Sequence, residues 1–90
     1  MERIEQSKIT PEIISQIRQI FAEEFEGYIT DPRTLGGTDS DRQILDKIRA
    51  GDKLNSRGTY LEDMVMGIAS KRFKIWKEED FKKVVDEFFE

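Results

Sequence analysis

The strongest constraint on the fold is the spacing of apolar residues between Ile13 and Phe25. They recur at intervals of three and four residues, which places them along one side of an α-helix. Thr10 is a good N-cap, and Pro11 suits the first helical position because its missing N–H costs nothing there. We therefore predict a first helix that begins after Thr10 and ends at Gly27. Its apolar stripe comprises Ile13, Ile14, Ile17, Ile20, Phe21 and Phe25.

A connection and a shorter helix follow. Residues 27–38 predict a loop, since Gly36-Gly37 permits backbone angles that other residues resist. Thr38 or Asp39 is then placed to cap a second helix that ends at Ala50. The inward positions of this helix are Ile44, Leu45 and Ile48.

The rest of the chain predicts two more helices separated by a bend. A third helix begins near Thr59 and carries the broadest apolar side. Residues 73–76 break the helical spacing and predict a bend or a short extended piece. Acidic residues 78–80 then open a fourth helix at its positive dipole end. The apolar residues of this last helix are Phe81, Val84, Val85, Phe88 and Phe89.

These segments predict a compact all-α domain of four helices, with a loop-rich first connection and the two longer helices at the ends. Ninety residues are enough for one modest core, so we expect a single domain over residues 1–90. Residues 1–9 are expected to form a flexible N-terminal extension. The predicted core is Ile17, Phe21, Leu61, Val65, Ile68, Phe81, Val85 and Phe88.

The absence of histidine and cysteine restricts the chemistry. Zinc sites built on thiolate and imidazole, Ser-His-Asp and Cys-His nucleophiles and disulfide frameworks all need one or both residue types. Catalysis could use Asp, Glu, Lys, Tyr or Ser instead, but no spacing singles one out. We therefore predict no catalytic residue, no metal ligand and no cofactor, and we expect a protein that is not an enzyme. The sequence also has no apolar run of bilayer length and no secretory signal, so we expect a cytoplasmic protein with no membrane partner.

Charge is distributed unevenly and bears on the partner. Residues 1–45 hold five basic and nine acidic residues, so this half carries the whole net charge of −4. An acidic domain repels phosphate backbones unless its basic residues gather on one face, which argues against nucleic-acid binding. We expect the partner to be another protein, with a homodimer as an alternative. The predicted function is that of a non-catalytic adaptor, inhibitor or accessory subunit that presents a helical surface.

One stretch mixes basic and aromatic residues and is the candidate interaction surface. Such interleaving over residues 71–83 can bind a partner or, as an alternative, stack bases and neutralise phosphates weakly. In the competing interpretation, Phe73 and Trp76 anchor the bend while the lysines reach into solvent. Large apolar residues at the end of the last helix either join this surface or complete the core. The candidate surface comprises Lys71, Arg72, Lys74, Trp76, Lys77, Phe88 and Phe89.

Two other stretches are candidate ligand sites. Asp39-Ser40-Asp41 has oxygen ligands that suit a divalent cation, but a calcium-loop register places Arg42 where a bidentate glutamate is needed. An N-terminal cap of the second helix is the favoured interpretation. The loop over residues 51–59 could hold an anion through backbone N–H groups and Arg57. Its spacing and the missing lysine before Thr59 exclude a P-loop, and a simple connection between helices is the favoured interpretation.

Two short fragments resemble acyl and peptidyl carrier proteins. Residues 35–40, Leu-Gly-Gly-Thr-Asp-Ser, are similar to the region around the serine that carries phosphopantetheine in that family. Phe73-Lys74-Ile75 followed by Glu79-Asp80-Phe81 is similar to the segment that enters the last carrier helices. The resemblance implies a modified Ser40 as an alternative function. The chain departs from the family in having Asp41 after that serine and a whole extra helix between the two fragments.

Overall fold

Four helices make up the chain in the computed structural model, which describes residues 9–31 and 39–90. The predicted all-α four-helix fold is confirmed. Of the predicted N-terminal extension, only Ile9 is described, and it packs against the core. The helices are α1 (Pro11–Thr30), α2 (Asp39–Ala50), α3 (Tyr60–Phe73) and α4 (Glu78–Phe88).

The start of α1 is as predicted, and its end is not. The hydroxyl oxygen of Thr10 accepts a hydrogen bond of 3.1 Å from the Ile13 amide, as an N-cap does. The predicted stop at Gly27 is wrong, because the helix continues to Thr30. A single exposed glycine costs a helix only about 1 kcal/mol. Buried Ile29 follows Phe25 by four residues and extends the same apolar face, which is enough to carry the helix past Gly27.

α2 begins at Asp39 and ends where predicted. Its first turn holds Asp39 and Asp41 at the positive end of the helix dipole. At the other end, Gly51 takes a left-handed φ of 84°, and its N–H donates to the Ile48 carbonyl at 3.2 Å. Thr38 and the predicted connection over residues 32–38 lie outside the described residues.

α3 starts with two reciprocal caps, as its predicted start near Thr59 implies. The Thr59 hydroxyl oxygen accepts from the Leu61 amide at 3.3 Å. In the other direction, the Glu62 carboxylate accepts from the Gly58 amide at 2.8 Å. The first bond satisfies an N–H group that the first helical turn leaves without a partner, and the second ties the residue before the cap to that turn. Together they fix the boundary between loop and helix.

α4 corrects the prediction that the longer helices lie at the two ends. It has 11 residues, whereas α3 has 14 and α2 has 12. The helix stops because Phe89 adopts an extended conformation and forms an isolated parallel bridge with Leu54. The Leu54 amide donates to the Phe88 carbonyl at 2.8 Å, and the Glu90 amide donates to the Leu54 carbonyl at 2.9 Å.

One hydrophobic cluster joins the four helices. α1 packs against α2 and α3, and α4 packs against α3. Phe88 of α4 also reaches α1, where its ring meets Phe21 edge-on at a centroid distance of 6.0 Å. All predicted core residues are buried except Phe81, which is half-buried at the edge. The core also includes residues absent from the prediction, among them Phe25, Leu54, Ile75 and Phe89.

Candidate interaction surface

The turn between α3 and α4 is fixed by one apolar anchor. Ile75 is fully buried, and its amide donates to the Ala69 carbonyl at 3.1 Å. Trp76 comes next and is 65% exposed, the largest exposed fraction among the large hydrophobic residues of the described chain. The competing interpretation, with Phe73 and Trp76 as anchors, is therefore wrong for Trp76, while Phe73 is half-buried against the core.

Four exposed cations lie close to this tryptophan in the sequence. Lys71 and Arg72 lie in the last turn of α3, and Lys74 and Lys77 lie within the turn. The Lys74 ammonium is 5.9 Å from the centroid of the Trp76 ring, within reach of a cation–π interaction. We call this set the turn surface, and it comprises Lys71, Arg72, Lys74, Trp76 and Lys77.

A groove adjoins the turn surface along α1 and α3. It has a volume of about 420 Å³, and its lining includes Lys71, Arg72 and Glu24. The Arg72 guanidinium lies 3.8 Å from the Glu24 carboxylate, with both side chains about half exposed. Such an exposed pair contributes little stability, so Arg72 can exchange Glu24 for another carboxylate at low cost.

The backbone of Lys74 is unusual. Its φ of 55° and ψ of 43° lie in the left-handed region, and Lys74 is the only residue other than glycine with a positive φ in the described chain. Glycine adopts this conformation readily, whereas residues with a Cβ pay roughly 1 kcal/mol or more. This conformation ends α3 and turns the chain, so that α4 can begin a few residues later at Glu78.

The remaining basic residues of segment 71–83 do not extend the surface. Lys82 lines a different groove of about 550 Å³, together with Arg57 and Glu62 at the opposite end of α3. Lys83 is exposed on α4. The sequence stretch thus contributes to at least two separate faces, and only its first part belongs to the turn surface.

Phe88 and Phe89 require a correction. Their exposed fractions are 3% and 0%, so they cannot present a surface in the folded chain. The alternative, that they complete the core, is the arrangement found. Phe88 packs on Phe21, and the Arg18 guanidinium lies 5.0 Å from the centroid of the Phe88 ring. Phe89 forms a bridge with Leu54.

The loop over residues 51–59 uses its arginine to hold the chain end. The Arg57 Nε donates to the Glu90 carbonyl at 2.7 Å, and Nη2 donates to the Phe89 carbonyl and the Asp86 carboxylate at 3.0 Å each. The considered anion site therefore coincides with a set of contacts inside the chain. We call these contacts the Arg57 clamp.

Ser40 and its acidic neighbours lie in the first turn of α2, where Asp39 and Ser40 are exposed. Within residues 9–31 and 39–90, no group of three or more His, Cys, Asp or Glu side chains could hold a metal ion. In the same ranges, no helix is long and apolar enough to cross a membrane. The cap of α2 is consistent with the placement of this acidic stretch, and the modification of Ser40 implied by the carrier resemblance stays a prediction.

A second aromatic group was missed by sequence reasoning. Tyr28 of α1 stacks on Phe25 and lies 5.8 Å from Tyr60 between ring centroids, although the two tyrosines are far apart in sequence. The pKa of Tyr60 is raised above its usual value of 10.0. Partial burial is the largest cause, followed by the negative charge of Asp41 and by the neighbouring Tyr28. Only the packing of α1 against α3 brings these rings together, so no local pattern could have shown the pair.

Comparison with family models, with curated proteins and with solved structures gave no match. The turn surface must therefore be interpreted from its own geometry and charge.

Proposed function

We propose that this protein is a non-catalytic interaction domain, an adaptor, inhibitor or accessory subunit, that binds another protein through the turn surface. The observation that carries the proposal is the 65% exposure of Trp76 beside a fully buried Ile75. The turn has an apolar anchor already, so the fold does not need the tryptophan for packing. We further propose the cytoplasm as the place of action, with which the absence of cysteine is compatible.

Trp76 has the properties of a binding anchor. Tryptophan and arginine are enriched among the residues that dominate binding energy at protein interfaces. Covering an apolar side chain of this size contributes roughly 1.5 to 3 kcal/mol or more. The exposed lysines close to it in the sequence can form the polar rim that accompanies such anchors.

Nucleic acid is a poorer fit to the same surface. Glu78 and Glu79 are exposed directly after Lys77, and Glu24 is within ion-pair distance of Arg72. A phosphate backbone that extends past the turn would meet these carboxylates, and Lys82 lies in another groove and cannot compensate. A protein segment can be short enough to avoid them.

Replacing Trp76 by alanine tests the proposal. Tagged wild-type and Trp76→Ala proteins are incubated with nuclease-treated lysate of the source cells, and the retained proteins are quantified by mass spectrometry. Tyr60→Ala is the matched control, because it removes another exposed aromatic side chain away from the turn. We expect a specific protein to be retained by the wild type and by Tyr60→Ala, and to be lost with Trp76→Ala.

Stability measurements keep the result interpretable. Trp76→Ala should change the free energy of unfolding by no more than about 0.5 kcal/mol, because the side chain is mostly in solvent. Equal retention by wild type and Trp76→Ala, with both proteins folded, would count against the turn surface as the binding site.

A further inference from the structure

We infer that the turn surface binds an acidic segment of its partner, with Lys74 and Trp76 together holding one carboxylate-bearing stretch. The inference rests on the proposed function and adds the chemistry of the partner. The juxtaposition that supports it is a cation held over an exposed indole ring, at a backbone position that disfavours any side chain.

The backbone of Lys74 indicates that its side chain has a use. Glycine would give the same left-handed turn without the steric cost. Lysine at this position retains the steric cost of a Cβ in the left-handed conformation. Residues strained in this way cluster at binding sites and switches. In return, the ammonium group is placed 5.9 Å from the Trp76 ring centroid, where a ligand carboxylate can contact the ammonium and its apolar neighbours can contact the ring.

Charge complementarity points to carboxylates. Lys71 and Lys77 form no ion pair with any residue in the described part of the chain, and Arg72 holds Glu24 only at 3.8 Å. Lys71 and Lys77 thus carry local positive charge, although exposed Glu78 and Glu79 follow directly and the chain as a whole carries −4. A partner that is acidic along its whole surface would be repelled by the rest of the molecule, whereas a short acidic segment can be attracted to the turn alone.

Trp76 is the only tryptophan, so its emission reports directly on this surface. Short random peptides displayed on phage are selected on the wild-type protein, after removal of those that also bind Trp76→Ala. The enriched peptides are synthesised and titrated while tryptophan emission is recorded. We expect them to be rich in Asp and Glu with at least one apolar residue, and to shift the emission to shorter wavelength as the ring is covered.

Variants at Lys74 separate charge from folding. Lys74→Glu should weaken binding of the selected peptide about tenfold or more, which corresponds to about 1.4 kcal/mol. Lys74→Gly should weaken it several-fold while the protein stays folded, and Lys74→Arg should retain most of the affinity. Lys53→Glu is the matched control, because this exposed lysine lies in the loop before α3, whereas Lys74 follows the other end of that helix, which is roughly 20 Å long. This substitution should leave binding unchanged.

The outcomes distinguish the two proposals. If no selected peptide depends on Trp76, the proposed binding site itself is wrong. If peptides depend on Trp76 but lack an acidic excess, or bind Lys74→Glu as well as the wild type, only the acidic partner is wrong. A single-stranded oligothymidine that shifts Trp76 emission with higher affinity than the peptides would also overturn it, in favour of nucleic acid.

Discussion

At the scale of single residues, Lys74 offers a direct test of backbone strain. Lys74→Gly removes a Cβ from a left-handed position, and the relief exceeds the entropy that glycine adds to the unfolded chain. We expect the free energy of unfolding to rise by about 0.5 kcal/mol, measured by urea denaturation with far-UV circular dichroism. Lys71→Gly is the matched control within α3 and should instead lower stability by about 0.5 to 1 kcal/mol.

Equal effects of these two substitutions would contradict the left-handed assignment. A stabilising Lys74→Gly that also weakens peptide binding would show that the lysine is kept for binding and costs stability, a trade-off common at functional sites.

Tyr60 gives the chain a dependence on alkaline pH. Because the folded state raises the pKa of its hydroxyl, the unfolded chain loses this proton first as the pH rises. The resulting contribution to stability is therefore constant below pH 10 and falls as the pH passes the usual tyrosine pKa. We expect the melting temperature of Tyr60→Phe to fall less than that of the wild type as the pH rises above about 10. Thermal melts of both proteins over a series of pH values measure this difference. Parallel curves for the two proteins would show that Tyr60 contributes no such dependence.

At the scale of elements, the Arg57 clamp should hold the end of α4 to the loop before α3. Arg57→Ala removes three hydrogen bonds, and because the guanidinium is partly exposed we expect a loss of only about 1 to 2 kcal/mol. The amides of Leu54 and Glu90 should exchange with deuterium faster, as measured by NMR. Arg57→Lys should restore little, since lysine lacks the forked donor geometry.

Arg49 provides the comparison for this prediction. Its guanidinium also lies 3.0 Å from a carboxylate, that of Glu26, but both side chains are about half exposed. Among the described residues, no backbone carbonyl of a distant segment accepts a hydrogen bond from Arg49. Arg49→Ala should therefore cost no more than about 0.5 kcal/mol. Losses of similar size at Arg49 and Arg57 would indicate that the clamp acts only as a surface ion pair.

Helix existence and starts could be predicted from sequence because their signals are local. Thr10 and Thr59 both act as N-caps, and the apolar spacing identified every helix. Two ends could not be predicted, because they depend on tertiary contacts. α1 continues past Gly27 because Ile29 is buried in the core. α4 ends at Phe88 because Phe89 forms a bridge with Leu54. The residues of the turn surface were among those proposed from the sequence as an interaction surface, which stays a prediction. The exposure of Trp76 could not be predicted, because it depends on Ile75 filling the core.

At the scale of the whole molecule, the last residues are part of the core. Phe88 and Phe89 are buried, and removing a buried phenylalanine side chain costs about 3 to 5 kcal/mol, against a total stability of about 5 to 15 kcal/mol for a domain. We expect a chain that lacks residues 86–90 to lose cooperative thermal unfolding. The double variant Glu87→Ala and Glu90→Ala changes exposed residues of the same segment and should remain folded.

A truncated chain that still unfolds cooperatively would show that these phenylalanines are dispensable for the core, and it would restore them as candidates for an interface. The sequence left both possibilities open because an amphipathic pattern shows which residues share a face but not what covers that face. Only the position of α4 against α3 and of Phe88 against Phe21 decides between them.

The bridge between Leu54 and Phe89 also affects the order in which the chain folds. Helix pairs that are neighbours in sequence, such as α3 and α4, can associate through short-range contacts, which form quickly. Arg57 and Phe89 are separated by 32 residues and can meet only after both helices are in place. The bridge should therefore close after the transition state, so that loss of the Arg57 side chain accelerates unfolding and leaves the refolding rate nearly unchanged.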